Sequence, residues 1–248
     1  MENELIRKLI KEEKSRKIFS KVFDNSTIQT LHFLANKGIF DKIEFVIKTG
    51  KEAYVFRAVD KSGNYKAVKI YKLEASDFKN MKDYIEGDIR FRGQKNTKRG
   101  IVFVWTQKEY KNLSVYKKAG VNVPLPIAFK NNVLVMEFIG EEGVASKSLK
   151  EKKTSNIEKF HRDILENMAK MVYKCKIVHA DLSEYNILNK DDDFVIISEK
   201  ALFQVSILML LPTSIDKIAF PSRLVSKVFI IPTQFFIVKE VIIFFIFS

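Results

Sequence analysis

IVHADLSEYNIL, at residues 177–188, is the most informative segment of this 248-residue chain. Apolar residues at both ends of the segment enclose a polar centre, in which His179, Asp181 and Asn186 have the spacing H-x-D-x-x-x-x-N. A single tight loop with this spacing can present the Asp181 carboxylate and the Asn186 amide to one ligand. Because Asp and Asn are also common in turns, an ordinary polar loop between two strands is the alternative.

The same spacing is typical of the catalytic loop of protein-kinase-like phosphotransferases. In that loop the Asp accepts or orients the proton of the attacking hydroxyl, and the Asn five residues later binds a metal ion on the phosphates. The segment therefore predicts a phosphoryl-transfer site with Asp181 as a catalytic residue and Asn186 as a metal ligand.

Lys69 and Glu109 are predicted to form an ion pair in this site. Lys69 alternates with apolar residues in the predicted strand 65–71, and a lysine on the inner face of a strand is costly unless it meets a phosphate or carboxylate. Glu109 lies in a predicted helix over Thr106–Lys118 that ends at Gly120. The alternatives are a solvent-facing lysine and a capping box formed by Thr106 and Glu109.

Two further segments predict contacts with a nucleotide. Backbone N–H groups near Gly50 can cradle a phosphate, although the segment 47–55 matches neither G-x-G-x-x-G nor a Walker loop. VLVMEFIG at 133–140 reads as a strand leading to a hinge, although a plain core strand explains it equally well. The candidate nucleotide-binding residues are Thr49, Gly50, Lys51, Glu52, Val55 and Lys69 near the phosphates, and Met136, Glu137 and Ile139 around the adenine.

Composition limits the class of protein and divides the chain near residue 200. The formal net charge is +13, and hydrophobic residues make up 46%, which excludes wholesale disorder. The single cysteine, Cys175, excludes a disulfide framework, and the charged first residues lack the apolar core of a signal peptide. Residues 201–248 hold only six of the 73 charged residues but eight of the 21 Phe.

The motifs together resemble the RIO family of atypical protein kinases, and in particular its first (archaeal and eukaryotic) branch rather than the winged-helix branch. The resemblance covers about residues 17–197. It rests on TGKEA (49–53), AVKIYK (67–72), KEYKNL (108–113), VLVMEFIG (133–140) and VHADLSEYNIL (178–188), with DYIEGDIRFRG (83–93) similar to a flexible loop of that branch.

The resemblance implies an α+β, two-lobe protein-kinase-like fold with an antiparallel-sheet N-lobe and a compact helical C-lobe. The expected division is an N-terminal helical extension at 1–44, an N-lobe at 45–136 with a basic loop at 72–100, a C-lobe at 137–200 and an apolar tail at 201–248. It also implies ATP and Mg²⁺ as cofactors, with Asp181, Asn186, Lys69 and Glu109 in the roles given above and Glu137 and Ile139 in the hinge. Lys48 and Tyr54 depart from the family, which often has Ser and Asn at these positions.

The activity implied is serine/threonine autophosphorylation or ATPase turnover during maturation of the small ribosomal subunit, in the cytoplasm. The partners implied are the subunit precursor with its rRNA, and a protein substrate or the chain itself. The basic residues of the 72–100 loop, Lys72 among them, suit RNA phosphates, although they also suit general solubility. The alternatives are a catalytically impaired nucleotide-binding assembly factor and a small-molecule phosphotransferase, which shares H-x-D-x-x-x-x-N.

The family pattern is broken after the apolar run 194–197, where the family places a metal-binding Asp in a pattern resembling I-I-D-x-x-Q. This chain has Ser198, and Glu199 lies one position late, so strand alternation would point it the other way. The tail beyond is open to three interpretations: a divergent C-lobe, a membrane anchor or the product of a shifted reading frame. An anchor is disfavoured because the apolar runs are far shorter than the ~20 residues that a spanning helix needs.

A shifted reading frame near codon 198 is the interpretation we favour, because AT-rich DNA read out of frame yields runs of Phe and Ile. We therefore expect one of the other two frames of the gene to encode an I-I-D-x-x-Q continuation. Sequencing the gene across codons 195–248 checks this, and the absence of that pattern from both frames would disprove it.

Overall fold

The computed structural model describes residues 24–73, 97–179 and 182–197, together with four short strands between residues 201 and 243. The predictions for the N-terminal residues 1–23, for the basic loop between 74 and 96, and for Asp181 and Ser198 concern residues outside this described set. The helices described are α1 (Asn25–Asn36), α2 (Lys98–Lys118) and α3 (Ile157–Ala169), and α3 continues into a π-helical turn (Lys170–Lys174).

The strands of the first lobe are β1 (Lys42–Thr49), β2 (Ala53–Val59), β3 (Tyr65–Tyr71), β4 (Pro126–Lys130) and β5 (Val133–Glu137). They form one sheet in the order β1-β2-β3-β5-β4, and each pair of neighbouring strands is antiparallel. The predicted antiparallel-sheet lobe is thus confirmed, and it begins at Lys42, three residues before the expected boundary.

The short strands that follow are β6 (Gly140–Glu141), β7 (Val144–Ala145), β8 (Lys147–Ser148), β9 (Ile177–His179), β10 (Ile187–Lys190), β11 (Asp193–Ile196) and β12 (Ala201–Gln204). Strands β8, β10 and β11 form one small antiparallel sheet, and β9 pairs with β12. In the tail, β13 (Val228–Ile231), β14 (Phe235–Val238) and β15 (Val241–Ile243) form an antiparallel sheet.

Helix α1 covers one face of the five-stranded sheet. The Asp24 carboxylate caps the helix by accepting a hydrogen bond from the Thr27 backbone N–H at 2.9 Å, which satisfies one of the free donors of the first turn. Leu31 and its apolar neighbours pack against Phe56 and Val68, all fully buried. This face is therefore filled, and only the opposite face of the sheet is left for a site.

Helix α2 lies against that opposite face and begins eight residues before the predicted start at Thr106. Thr97 caps the helix by accepting from the Gly100 N–H at 3.1 Å, and Thr106 lies within it and donates its hydroxyl hydrogen bond to the Val102 carbonyl. The capping-box interpretation and the loop assignment of residues 98–100 were therefore wrong. β-branched and aromatic residues in the first turns have weak helix propensity, and packing in the core overrides it.

Asn122 joins the end of α2 to the second lobe. Its N–H donates to the Asn167 side-chain oxygen on α3 at 2.7 Å, its carbonyl accepts from Ile196 N–H at 3.0 Å, and its side-chain amide donates to the Phe194 carbonyl. One residue thereby ties the N-lobe to α3 and to β11. On α3 itself, Phe160 and Met168 are buried, whereas Ile157 in the first turn is 68% exposed.

A second bridge runs from the sheet to the β6–β7 hairpin through Arg57. The Arg57 guanidinium pairs with Glu44 at 2.6 Å, lies between the rings of Phe45 and Tyr65, and donates a hydrogen bond to the Gly143 carbonyl. Because the guanidinium is held on all sides, the hairpin has a fixed position against the sheet.

No helix in the described part of the chain is long and apolar enough to cross a membrane.

Gly143 tests the packing of this bridge. Its φ of +79° is in the left-handed region, and an added Cβ would lie 2.6 Å from the nearer terminal nitrogen of Arg57 and 2.9 Å from Tyr65 Cζ. We expect Gly143→Ala to lower the free energy of unfolding by about 2–3 kcal/mol, because backbone strain and crowding add.

Gly120→Ala is the matched control, since Gly120 has a φ of +78° and open space around its Cα. Strain alone predicts a loss of about 1 kcal/mol for this variant. Urea unfolding of both variants measures the difference, and equal losses would show that Arg57 and Tyr65 do not crowd residue 143.

Candidate functional site

A row of side chains across three strands forms the centre of the candidate site. Lys48 on β1 pairs with Val55 on β2, and Val55 pairs with Lys69 on β3. Directly opposed residues of antiparallel strands project from the same face of the sheet, so the two lysines flank the half-buried Val55. Leu134 of β5 continues the row on the far side of Lys69.

An irregularity in β1 places Lys48 in this row. Val46 packs in the core against α1, and regular alternation would put Lys48 on that same face. The pairing of β1 with β2 shifts between Val46 and Lys48, so Lys48 instead projects from the face that carries Lys69. From the sequence, Lys48 was noted only as a departure from the family pattern. Its position on the sheet face that carries Lys69 was not predicted.

Lys69 and Glu109 form the predicted ion pair. The Lys69 ammonium lies 2.7 Å and 2.9 Å from the two oxygens of the Glu109 carboxylate, and the Glu109 side chain is only 1% exposed. Burial raises the pKa of Glu109 above its ordinary value, and the Lys69 charge opposes that rise. The pair therefore fixes the ammonium of Lys69 where β3 meets α2.

The predicted phosphate loop is a tight turn between β1 and β2. Gly50 N–H donates to the Ala53 carbonyl at 2.9 Å, so this N–H serves the turn and does not face a ligand as we had expected. A Cβ at Gly50 would come within 3.2 Å of that carbonyl, which explains the glycine. Around the turn, Thr49, Lys51 and Lys48 are exposed, and Glu52 is half-buried.

Lys72 holds this turn in place. Its ammonium donates to the Gly50 carbonyl at 2.7 Å and lies 4.4 Å from the centre of the Tyr54 ring, while its backbone N–H donates to the Glu52 carbonyl at 2.8 Å. Lys72 was expected among the basic residues that suit RNA phosphates, and the structure shows that its ammonium is bonded within the turn. Tyr54, the other departure from the family, thus supplies the ring against which Lys72 rests.

The described part of the catalytic loop runs from Leu182 to Asn186. Asn186 N–H donates to the Ser183 carbonyl at 2.9 Å, and the Asn186 carbonyl accepts from Ile197 N–H at 3.0 Å. This second bond joins the loop to the residue that directly precedes position 198. His179, at the start of the motif, is 1% exposed and belongs to the core.

Lys48 connects the two lobes at this loop. Its ammonium donates a hydrogen bond to the Tyr185 carbonyl at 3.0 Å. Partial desolvation and, next, the nearby Lys69 charge lower the pKa of Lys48, and Glu151 acts in the opposite direction. Two cations thus share one cleft, and among the described residues a carboxylate is bonded to Lys69 but not to Lys48.

The predicted hinge retains part of its expected capacity to bind adenine. Met136 is 5% exposed and lies opposite Ala67, on the sheet face that carries Lys69. The Glu137 N–H donates to the Leu125 carbonyl at 2.8 Å, and the Ile139 carbonyl accepts from Ser146 N–H at 3.0 Å. The predicted adenine contacts would therefore come from the Glu137 carbonyl and the Ile139 N–H.

The cleft fits a phosphate group better than it fits a metal ion held by the protein alone. Lys48 and Lys69 carry two positive charges and Glu109 carries one negative charge. One positive charge is thus left to attract a phosphate. For magnesium, the described residues supply the Asn186 amide but no group of three or more His, Cys, Asp or Glu placed to hold a metal. The described residues by themselves thus do not form the magnesium site predicted around Asn186.

Comparison with known proteins identifies the family. A family model described as the RIO domain matches residues 54–199, more than half of the chain. The chain belongs to the RIO family. It is 40% identical over 197 residues to the RIO-type serine/threonine-protein kinase Rio1 of Methanocaldococcus jannaschii, and 39% identical over 188 residues to that of Haloferax volcanii.

These alignments cover 79% and 76% of this RIO chain, but 67% and 64% of the two archaeal relatives. Over 218 residues the chain is 32% identical to the serine/threonine-protein kinase RIO1 of Saccharomyces cerevisiae, and it spans 45% of that protein. The RIO chain thus corresponds to about two thirds or less of these relatives.

A solved structure confirms the predicted two-lobe kinase-like fold. The Rio2 kinase from Chaetomium thermophilum, in an ADP/Mg²⁺-phosphoaspartate complex, aligns with a TM-score of 0.52 at 19% identity. The alignment covers 75% of the RIO chain and 60% of the solved one.

Replacing Lys69 tests the ion pair. We expect Lys69→Met to lower the free energy of unfolding by about 3 kcal/mol at pH 8, because Glu109 stays buried without its cation. The uncompensated carboxyl has a raised pKa, so it takes up a proton as the pH falls, and the loss should shrink at pH 5. Urea unfolding at both pH values measures the effect.

The double variant Lys69→Met/Glu109→Gln is the control, because it removes both charges. It should recover most of the lost stability and show no comparable pH dependence between pH 5 and pH 8. A double variant as unstable as the single one would contradict the ion-pair account, since the loss would then come from packing.

Proposed function

We propose that this chain is an ATP-dependent kinase that phosphorylates itself or a protein on Ser or Thr, or hydrolyses ATP. The observation that carries the proposal is the Lys69–Glu109 pair, which the neighbouring Lys48 links to the loop that contains Asn186. A buried cation held by one carboxylate is costly as a purely structural device. It is well placed to position phosphates, and the RIO relatives named above are serine/threonine-protein kinases.

The chemistry assigns a separate task to each residue. Lys69 would position the phosphates, and Val55 and Met136 would form the apolar walls around the base. Asp181 would accept the proton of a Ser or Thr hydroxyl as its oxygen attacks the γ-phosphorus. The bond from that phosphorus to the bridging oxygen breaks, ADP leaves with the electron pair, and the phosphoryl group ends on the hydroxyl oxygen.

Water in place of the hydroxyl would give ATP hydrolysis through the same residues. We expect Mg²⁺ to accompany the nucleotide, as it does ADP in the Rio2 kinase structure. The role of Asn186 as its ligand remains a prediction.

The biological setting we propose is maturation of the small ribosomal subunit in the cytoplasm, with the subunit precursor and its rRNA as partners. Support comes from family membership and from charge: residues 1–200 carry a formal net charge of +11. Such a basic surface favours binding to RNA phosphates.

A second candidate function is favoured by Ser198, which stands where the family pattern has a metal-binding Asp. In this case the chain would bind nucleotide without turnover and act as an assembly factor through its shape. The small-molecule phosphotransferase considered above has no such support, because the chain belongs to the RIO family.

Turnover measurements separate the two candidates. We expect the wild-type chain to release phosphate from ATP or to label itself, and Asp181→Asn to reduce the rate by about 100-fold or more. Nucleotide binding should survive this change, because Asp181 acts on the attacking hydroxyl. Binding by fluorescent ADP and turnover by labelled ATP are measured on the same samples.

Ser198→Asp completes the experiment. A wild-type chain that binds ADP without turnover, together with a Ser198→Asp variant that regains turnover, would favour the assembly factor. A chain that binds no adenine nucleotide with or without Mg²⁺ would contradict both candidates.

A further inference from the structure

Lys48 contacts the catalytic loop, whereas Lys69 and Lys72 are bonded within the N-lobe. Within the described residues its ammonium has one hydrogen-bond partner, the Tyr185 carbonyl, which is neutral. An ammonium has three donors, so two stay available to a ligand. Lys69 is by contrast bonded to both oxygens of Glu109, and Lys72 is bonded to Gly50 in the turn.

Glu151, the carboxylate whose charge acts on Lys48, is also bonded elsewhere. Glu151 accepts hydrogen bonds from the Ser148 N–H at 3.0 Å and from the Ser148 hydroxyl at 2.7 Å. Glu109 is committed to Lys69. Lys48 is therefore a cation that reaches from the sheet to the catalytic loop with no bonded anion among the described residues.

The spacing of the row matches a chain of phosphates. Neighbouring strands lie about 4.8 Å apart, so the backbones of Lys48 and Lys69, two strands apart, are separated by about 10 Å. Flexible lysine side chains converging from these positions can contact successive phosphate groups of one nucleotide. Val55, which lies between them in the row, is half-buried and apolar, so its side chain does not compete with the lysines for a phosphate.

We propose that Lys48 binds a phosphate of the nucleotide directly and supplies positive charge that a metal ion would otherwise provide, so that this chain binds adenine nucleotides with little need for a divalent cation. The inference rests on the proposed function, because it presupposes a nucleotide in this cleft. It accounts for a second cation beside Lys69 in this cleft.

The bond from Lys48 to Tyr185 gives the lysine a second role in positioning. Because the Tyr185 carbonyl directly precedes Asn186 in the chain, Lys48 contacts the catalytic loop and the expected place of the phosphates from one side chain. Nucleotide binding would then draw β1 and the loop together through Lys48.

The test compares binding of ADP to the wild type and to Lys48→Ser, in Mg²⁺ and in EDTA, by isothermal titration calorimetry. The wild type should have Kd values that differ by no more than about threefold between the two buffers. That difference is smaller than the affinity that one charge-assisted hydrogen bond contributes. Lys48→Ser should bind ADP about 10- to 100-fold more weakly in EDTA, as expected for losing one such bond. Mg²⁺ should restore part of that loss.

Two controls separate phosphate binding from a structural role. Lys42→Ser removes an exposed lysine from the same strand and should leave both Kd values unchanged. Adenosine, which has no phosphate, should bind Lys48→Ser and the wild type equally. Lys48→Arg should retain binding in EDTA, because a guanidinium also donates to phosphate.

The outcomes distinguish this inference from the proposed function. If the wild type binds ADP in Mg²⁺ but loses binding in EDTA, the role of Lys48 is refuted and the proposed function stands. Equal weakening of adenosine and ADP by Lys48→Ser also overturns the inference, since Lys48 would then act only through Tyr185. A wild-type chain that binds no nucleotide in either buffer overturns both together.

Discussion

The buried ion pair between Lys69 and Glu109 is the constraint on which the candidate site depends. Removing two charges from water costs several kcal/mol per ion, and their attraction roughly offsets that cost only when the geometry is good. The structure meets this condition, because both carboxylate oxygens bond to one ammonium and the carboxylate is almost fully buried. The pair contributes less to stability than apolar side chains of the same volume would, so its position needs a functional reason.

The architecture of the N-lobe follows from holding this pair. Lys69 has a fixed place on β3, and Glu109 has one on α2, so the helix must lie against one face of the sheet at a set position along its axis. Tyr116, near the end of α2, packs in the same core as Leu134 and Met136. With α1 covering the other face, the charged groups of the described sheet can meet a ligand in the cleft beside α2 and the catalytic loop.

Much of this arrangement could be predicted from sequence where local pattern and motif order agreed. The alternation around Lys69 and the helix end at Gly120 each have a local physical cause, and the structure contains them. The start of α2 could not be predicted, because Val102 and its β-branched neighbours favour strands and become helical through burial. Lys72 was assigned to RNA binding for a similar reason, since its bond to Gly50 joins residues 22 positions apart.

Lys48 illustrates a limit of a different kind. Period-two alternation is the only signal in the sequence that decides which face of a strand a residue occupies, and one irregularity reverses it for every residue that follows. The amino-acid composition of β1 does not indicate that a register shift follows Val46. The position of Lys48 beside Lys69 therefore could not be predicted from this segment alone. The same mechanism allows a chain to move a charge into a cleft without altering the core that packs against α1.

The break in composition near residue 200 bears on catalysis more than on folding. Residues up to Ile197 are required by the site, since Ile197 bonds to Asn186 and β11 is buried. The match to the RIO family ends at residue 199, where the charged residues of the chain become sparse. All the residues of the Lys69–Glu109 ion pair, of the hydrogen bond from Lys72 to Gly50 and of the hydrogen bond from Lys48 to Tyr185 precede that point. The groups proposed to bind a nucleotide therefore all precede position 198, whereas the proposed turnover depends on what the gene encodes there.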